Sequence, residues 1–217
     1  MAIRVLAFVL GLARVARAGD MCATDRDGNL DMSADVHLLE RYAAGTATAD
    51  DVQFVAVCVG GAAYRDRVVA ACDKILARDP HWDTCMIVAA KVGAAMVGKR
   101  DVFAWLARQP RGPWVTNSAL PDYPLYLLRQ LGDPRGAALI VAAWNEAIPK
   151  AARHEHDPVM MAEWSGWRQH AADALGALGG ADEATFLEAQ AKATVDSHVA
   201  RACRDAAAAI AKRLAKP

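Results

Sequence analysis

His154, Glu155 and His156, with Asp157, Glu163 and His170 downstream, form the densest run of side chains able to ligate a metal ion. Imidazole nitrogens and carboxylate oxygens hold zinc or iron when three or more converge on one point. Two histidines two residues apart cannot supply that alone. A mononuclear site would need His154 and His156 to meet His170 or Glu163 across a loop, and the chain would then be a metal-dependent enzyme. The other reading, a solvated polar loop with no metal and no cofactor, is the one expected. Asp25, Asp27, Gly28, Asn29 and Asp31 have the composition of a calcium loop but not its spacing. With Gly28 at the turn-glycine position, Ala23 falls where the first ligand belongs and Ala34 where the closing Glu belongs.

Five cysteines allow at most two bridges and leave one over. Cys72 and Cys85 flank Asp79-Pro80, a helix-breaking pair, so they face each other across a short hairpin. Closing so short a loop stabilises by about 3 kcal/mol. Cys22 with Cys58 is the second expected pair. Cys203 recurs at helical spacing with Val199, Ala206 and Ile210, which predicts a buried thiol acting as a small hydrophobe. Bridges of this kind require an oxidising compartment.

The first eighteen residues supply a route to one. Arg4, the apolar run Val5 to Ala13 and the small-residue site Ala16-Arg17-Ala18 read as an export signal cleaved before Gly19, with an organelle transit peptide, given three Arg and no acid, as the competing reading. The apolar run is far short of the roughly 20 residues a membrane-spanning helix needs. The expected location is therefore periplasmic or secreted, with no stable membrane insertion after cleavage. Residues 19–33 are small and polar and read as a mobile N-terminal segment, leaving 34–217 as one folded domain.

Trp114, Tyr123 and Tyr126 accompany Pro110, Pro113, Pro121 and Pro124 in a stretch that is hard to fold as one helix. These aromatics are candidate anchors for a protein partner, although covering a gap between helices is the expected role. Glycine-flanked serine elbows, phosphate-cradling loops and His-Glu-x-x-His helices are absent from the sequence. Twenty-five basic residues balance 25 acidic ones. Loss of Arg4, Arg14 and Arg17 with the leader leaves 22 against 25, a poor match for a phosphate backbone. No nucleic acid is expected as partner.

The elements that would position these residues are helices. Alanine is abundant, and β-branched residues do not alternate, so an all-α fold without β-sheet is expected. Leu131-Gly132-Asp133-Pro134-Arg135-Gly136 carries a left-handed helix stop, a capping Asp and a first-turn Pro in succession. Comparable punctuation occurs at Gly60-Gly61, Gly98-Lys99-Arg100-Asp101 and Gly179-Gly180-Ala181-Asp182. Ser33 is expected to cap the first helix, to Gly45, and Thr48 to Asp51 to start the run Val52 to Val59. Further helices are expected over 62–78, 83–97, from Val102 to Leu106 and over 125–131. One with Ala137, Ile140, Val141, Trp144 and Ile148 on its apolar face should stop before Pro149. Trp164, Trp167, Ala171, Leu175 and Leu178 mark the next, Asp182 should cap another, and the last carries Val199, Cys203, Ala206, Ile210 and Leu214. That makes about ten helices in five antiparallel pairs. The spacings between turn glycines are 38 (Gly60 to Gly98), 34 (Gly98 to Gly132) and 47 (Gly132 to Gly179), within the range of helical solenoids.

Residues 131–140, the run Ala174-Leu175-Gly176-Ala177-Leu178-Gly179 and the run Val199 to Ala207 resemble HEAT repeats of the phycobilin-lyase-like type, covering residues 125–214. Tyr64 to Trp105, with Asp79-Pro80 between its helices, resembles a tetratricopeptide pair. Both resemblances imply an α-solenoid of the HEAT/ARM-type superhelix class. Deoxyhypusine hydroxylase, a HEAT-type enzyme, binds iron through several His-Glu pairs, where this chain has one. The expected role is a scaffold or adaptor that binds another protein. A metal-dependent enzyme around His154 and His156 and a structural component of an envelope assembly are the alternatives.

Overall fold

The computed structural model describes residue 22 and residues 31–52, 54–109, 111–112 and 123–216. The expected export signal, most of the N-terminal segment and most of the proline-rich loop, with Trp114, lie outside them. Among the described residues the chain is mostly helical, 72% helix in ten α-helices. None of these helices is long and apolar enough to cross a membrane.

α1 (Met32–Ala43) starts earlier than expected, because Asp31 and not Ser33 is its cap: the Asp31 carboxylate accepts from Ala34 N at 3.1 Å. Thr48 and Asp51 do form a reciprocal box, with Thr48 N donating to Asp51 Oδ2 at 2.7 Å and Asp51 N to Thr48 Oγ1 at 3.4 Å. The helix that follows is a single turn, α2 (Val55–Cys58). After a 3-10 turn at Ala62–Tyr64 comes α3 (Arg65–Arg78), which presents Val68, Cys72, Ile75 and Leu76 to the core and stops at Asp79.

The expected helix over 83–97 is cut short. α4 (Thr84–Lys91) ends at Val92, Gly93 turns left-handed, and the chain enters a hairpin of β1 (Met96–Val97) and β2 (Arg100–Asp101). This corrects the expectation of no β-sheet. Gly98 and Lys99 both have positive φ (54° and 61°), the geometry of the tight turn that joins antiparallel strands. In this hairpin Met96 is exposed and Val97 is buried. A Cβ on Gly98 would lie 2.6 Å from Leu76 Cδ1, so this turn sits directly on α3.

Asp101 caps α5 (Val102–Leu106), with Ala104 N donating at 2.9 Å. α6 (Tyr123–Leu131) ends at left-handed Gly132, and Asp133 Oδ1 accepts from Arg135 N at 3.0 Å as α7 (Arg135–Ala152) begins. α7 runs through Pro149, which the sequence placed outside the helix. Pro149 lies in the last turn on an exposed face, where the lost N–H bond and the ring clash are most easily relieved. Ile148, expected on the apolar face, is exposed, and Ala147 and Ala151 are buried in its place.

α8 (Pro158–Leu178) is the longest helix and the packing partner of α6, α7 and α10. Asp157 caps it by accepting from Val159 N and Met160 N, with Pro158 in the first turn. α9 (Ala181–Ala193) is begun by Gly180, not by Asp182. Glu183 reaches back to accept from Gly180 N at 2.7 Å, half of a capping box. α10 (Ser197–Leu214) starts at Asp196 and packs against α8 and α9, burying Val199, Cys203, Ala206 and Ile210; Leu214 is exposed.

One apolar core runs from Val36 in α1 to Ile210 in α10. Two disulfides join parts of its N-terminal half. Cys72–Cys85 links α3 to α4 with Cα atoms 5.5 Å apart, and Cys22–Cys58 ties the N-terminal segment to α2 at 5.3 Å. Both bridges match the expected pairing and fit a protein outside the reducing cytoplasm.

Candidate functional site

His154 and His156 lie in the turn between α7 and α8, and His170 lies well inside α8. At 1.5 Å per residue, the twelve positions from Pro158 put His170 roughly 18 Å along the helix from that turn. A single ion reaches its ligands at about 2 Å, so the three histidines do not share one. Asp157 is occupied as the α8 cap, and Glu155 sits 3.4 Å from His156 Nε2, both exposed. Among the described residues no group of three His, Cys, Asp or Glu side chains is placed to hold a metal.

Tyr126 projects from the exposed side of α6, while Leu125, Leu127 and Leu128 point inward. Tyr123 opens the same helix. Cys203 is free and fully buried, and burial pushes its thiol up to about 11, so it carries little thiolate at neutral pH.

The most elaborate polar arrangement sits where α8 meets the α9–α10 connection, and the residue spacing along α8 explains it. Trp164 and Trp167 are three residues apart and stack at 5.5 Å, both edge-on to Trp144 of α7, which meets Phe186 of α9 in turn. Arg168, four residues beyond Trp164, lays its guanidinium over that ring at 4.8 Å. Its Nη1 donates to Thr194 Oγ1 at 3.2 Å and its Nη2 lies 3.6 Å from Asp196. Asp196 accepts from Ser165 Oγ and from the N–H groups of His198 and Val199. Burial raises the Asp196 carboxyl, but those hydrogen bonds and the Arg168 charge outweigh it and hold the group below its ordinary value. Burial lowers Arg168 against the pull of Asp196. Arg111 is placed by the same cluster: its carbonyl accepts from Trp167 Nε1 at 2.8 Å, and its guanidinium caps the end of α5 at the Ala107 carbonyl. This arrangement locks the helices together. Ser165 donates to the Asp196 carboxylate, whose lowered pKa makes it a weak base for activating a serine hydroxyl.

Lys91, the last residue of α4, is 7% exposed, and its ammonium donates to the carbonyls of Ala56 at 2.8 Å and Val57 at 2.7 Å. Burial lowers its pKa to about 8. The sequence signal for this group was a lysine inside an apolar run, Met86 to Val92. The Arg168 ladder had one too, in the Trp-Arg spacing of four.

On the C-terminal half, open grooves lie on two sides of α10. A groove of about 440 Å³ runs between α8 and α10, walled by Gly176, Ala177 and Ala209 and rimmed by Arg129, Asp173 and Asp205. On the other side, between α9 and α10, a groove of about 350 Å³ is walled by Ala191, Ala207 and Ala211 and rimmed by Glu188, Lys192 and Arg204. Both are depressions with small, apolar walls and charged lips. Arg213 holds the α8 end of this surface by donating to the carbonyls of Gly176, Ala177 and Gly179. Comparison with protein-family models, with curated proteins and with solved structures finds no match.

Proposed function

We propose that the chain is an exported α-solenoid, HEAT-like over residues 125–214 and tetratricopeptide-like before that, acting as a scaffold or adaptor that docks another protein. The two bridges fit a protein outside the reducing cytoplasm, and the mostly helical fold fits an all-α class. The observation that carries the docking role is the alanine-walled groove between α8 and α10. Small walls let another helix approach closely, and the charged lips set its register. The occupant is an amphipathic helix of a partner protein, presenting a narrow small-residue face to Ala177 and Ala209 and a basic residue to Asp205. Asp205 favours that charge because its neighbour Asp173 is already matched by Arg129.

The test uses the elution volume of this protein in a native extract of its exporting cell. The account expects wild type to elute well above its 23.2 kDa chain mass, and Ala209→Glu to elute as the free protein with an unchanged circular dichroism spectrum. Coincident elution of the two forms would count against docking on this flank.

A further inference from the structure

The two disulfides differ in their access to solvent. Cys72 and Cys85 are 0% exposed, inside the contact of α3 with α4, whereas Cys22 and Cys58 are 9% and 6% exposed. They also restrain different things. Cys72–Cys85 joins two helices of 14 and 8 residues that already pack on each other. Cys58 instead belongs to α2, a single turn of four residues, far below the length at which a helix holds itself. α2 is kept in place from outside. Val52, Val55 and Val59 insert into the core, the Lys91 ammonium clasps the carbonyls of Ala56 and Val57, and the bridge fixes Cys58. Phe54 and Val57 are left on the surface.

We propose that Cys22–Cys58 is a redox latch on α2, opened by a dithiol reductant in the folded protein, while Cys72–Cys85 is a permanent strut. A thiolate of the reductant attacks one sulfur of Cys22–Cys58, forming a mixed disulfide and expelling the other cysteine as thiolate, which takes up a proton. The reductant's second thiol then displaces the remaining cysteine. Two electrons and two protons pass to the protein, giving two cysteine thiols, and the dithiol leaves as its cyclic disulfide. Opening removes the covalent restraint on α2 and loosens the turn without disturbing α3 or α4. The latch reports the redox state of the surroundings on one small part of the surface.

The experiment treats the full-length protein with dithiothreitol under native conditions. Free thiols are then alkylated, the cysteines are mapped by peptide mass, and amide hydrogen exchange is followed in parallel. The expected result is labelling of Cys22 and Cys58 with Cys72, Cys85 and Cys203 unlabelled. Exchange over 54–59 should be roughly tenfold faster or more, and over 65–78 and 84–91 changed by less than about twofold. The double variant Cys22→Ser/Cys58→Ser should show the same exchange pattern without reductant. If that variant does not fold, the wild-type titration alone decides. Labelling of all four bridged cysteines together, labelling of none, or reduction of Cys22–Cys58 with unchanged exchange at α2 would each overturn the proposal.

Discussion

Replacing Gly176 by alanine sets helix propensity against packing, and the structure decides the sign. Gly176 lies inside α8, where alanine is preferred to glycine by about 0.8–1.0 kcal/mol. Propensity alone therefore makes the substitution stabilising. A Cβ there, however, would stand 3.1 Å from Ala206 Cβ and 3.2 Å from Ala206 Cα, and the second contact is with the backbone of α10. No rotamer change relieves it, so α8 and α10 must move apart by a few tenths of an ångström, straining the bond from Arg213 to the Gly176 carbonyl. Overpacking of this kind costs about 1–3 kcal/mol, which leaves Gly176→Ala destabilising by roughly 1 kcal/mol. Gly166 in the same helix is the control, because a Cβ there meets nothing within 4 Å. Gly166→Ala should stabilise by about 1 kcal/mol. In thermal melts followed by circular dichroism the two variants should move in opposite directions, each by about 2–4 °C per kcal/mol for a chain of this size. Equal upward shifts would refute the close approach of α8 and α10, and with it the shape of the groove between them.

Other outcomes follow from the same geometry. Cys72→Ala/Cys85→Ala should lower the unfolding free energy in urea by about 3 kcal/mol through lost loop closure, while Cys203→Ala, with no bridge to lose, costs only a small cavity. Asp157→Ala should cost about 1 kcal/mol, the value of a helix cap, whereas Asp196→Ala should cost roughly 2–3 kcal/mol because it also strands Ser165 and Arg168; a urea series ranks the two. Lys91 has a folded pKa lowered to about 8 against 10.5 for the free side chain, so between those values the unfolded chain binds more protons and stability rises with pH. The gain should reach roughly 1–3 kcal/mol between pH 7.5 and pH 10 relative to Lys91→Met, read from urea midpoints, with no such difference if the amine is solvated.

Much of the helical layout was legible because its punctuation is local chemistry. Gly132, Asp133 and Pro134 act where they stand, Asp79-Pro80 ends α3, and the Cys72–Cys85 pairing follows from that break. The Gly98 turn was misread because a left-handed glycine serves both a helix stop and a hairpin. Lys99, which also adopts positive φ, decides between them, and its reason is tertiary: the turn lies on Leu76. Pro149 suggests a helix stop from sequence alone, but α7 tolerates it because it sits on an exposed face near the helix end. Of the candidate site, the histidine cluster was visible but its members do not converge, because distance along α8 is set by the helix rise and not by residue type. The α10 grooves had no motif at all: alanine reads the same whether it packs against a neighbour or lines an open wall.

Docking of a partner's helix in the groove between α8 and α10, as proposed above, is read most simply by cross-linking. A photoreactive phenylalanine analogue is placed at Arg129 on the lip of that groove, and in a second protein at Asp66 on α3, and each is irradiated in the cell that makes it. One discrete cross-linked species is expected from position 129, absent from position 66 and lost when Asp205→Lys is added, with the linked peptide of the partner helical and basic. A cross-link of equal yield from both positions, or none from position 129, would refute docking there.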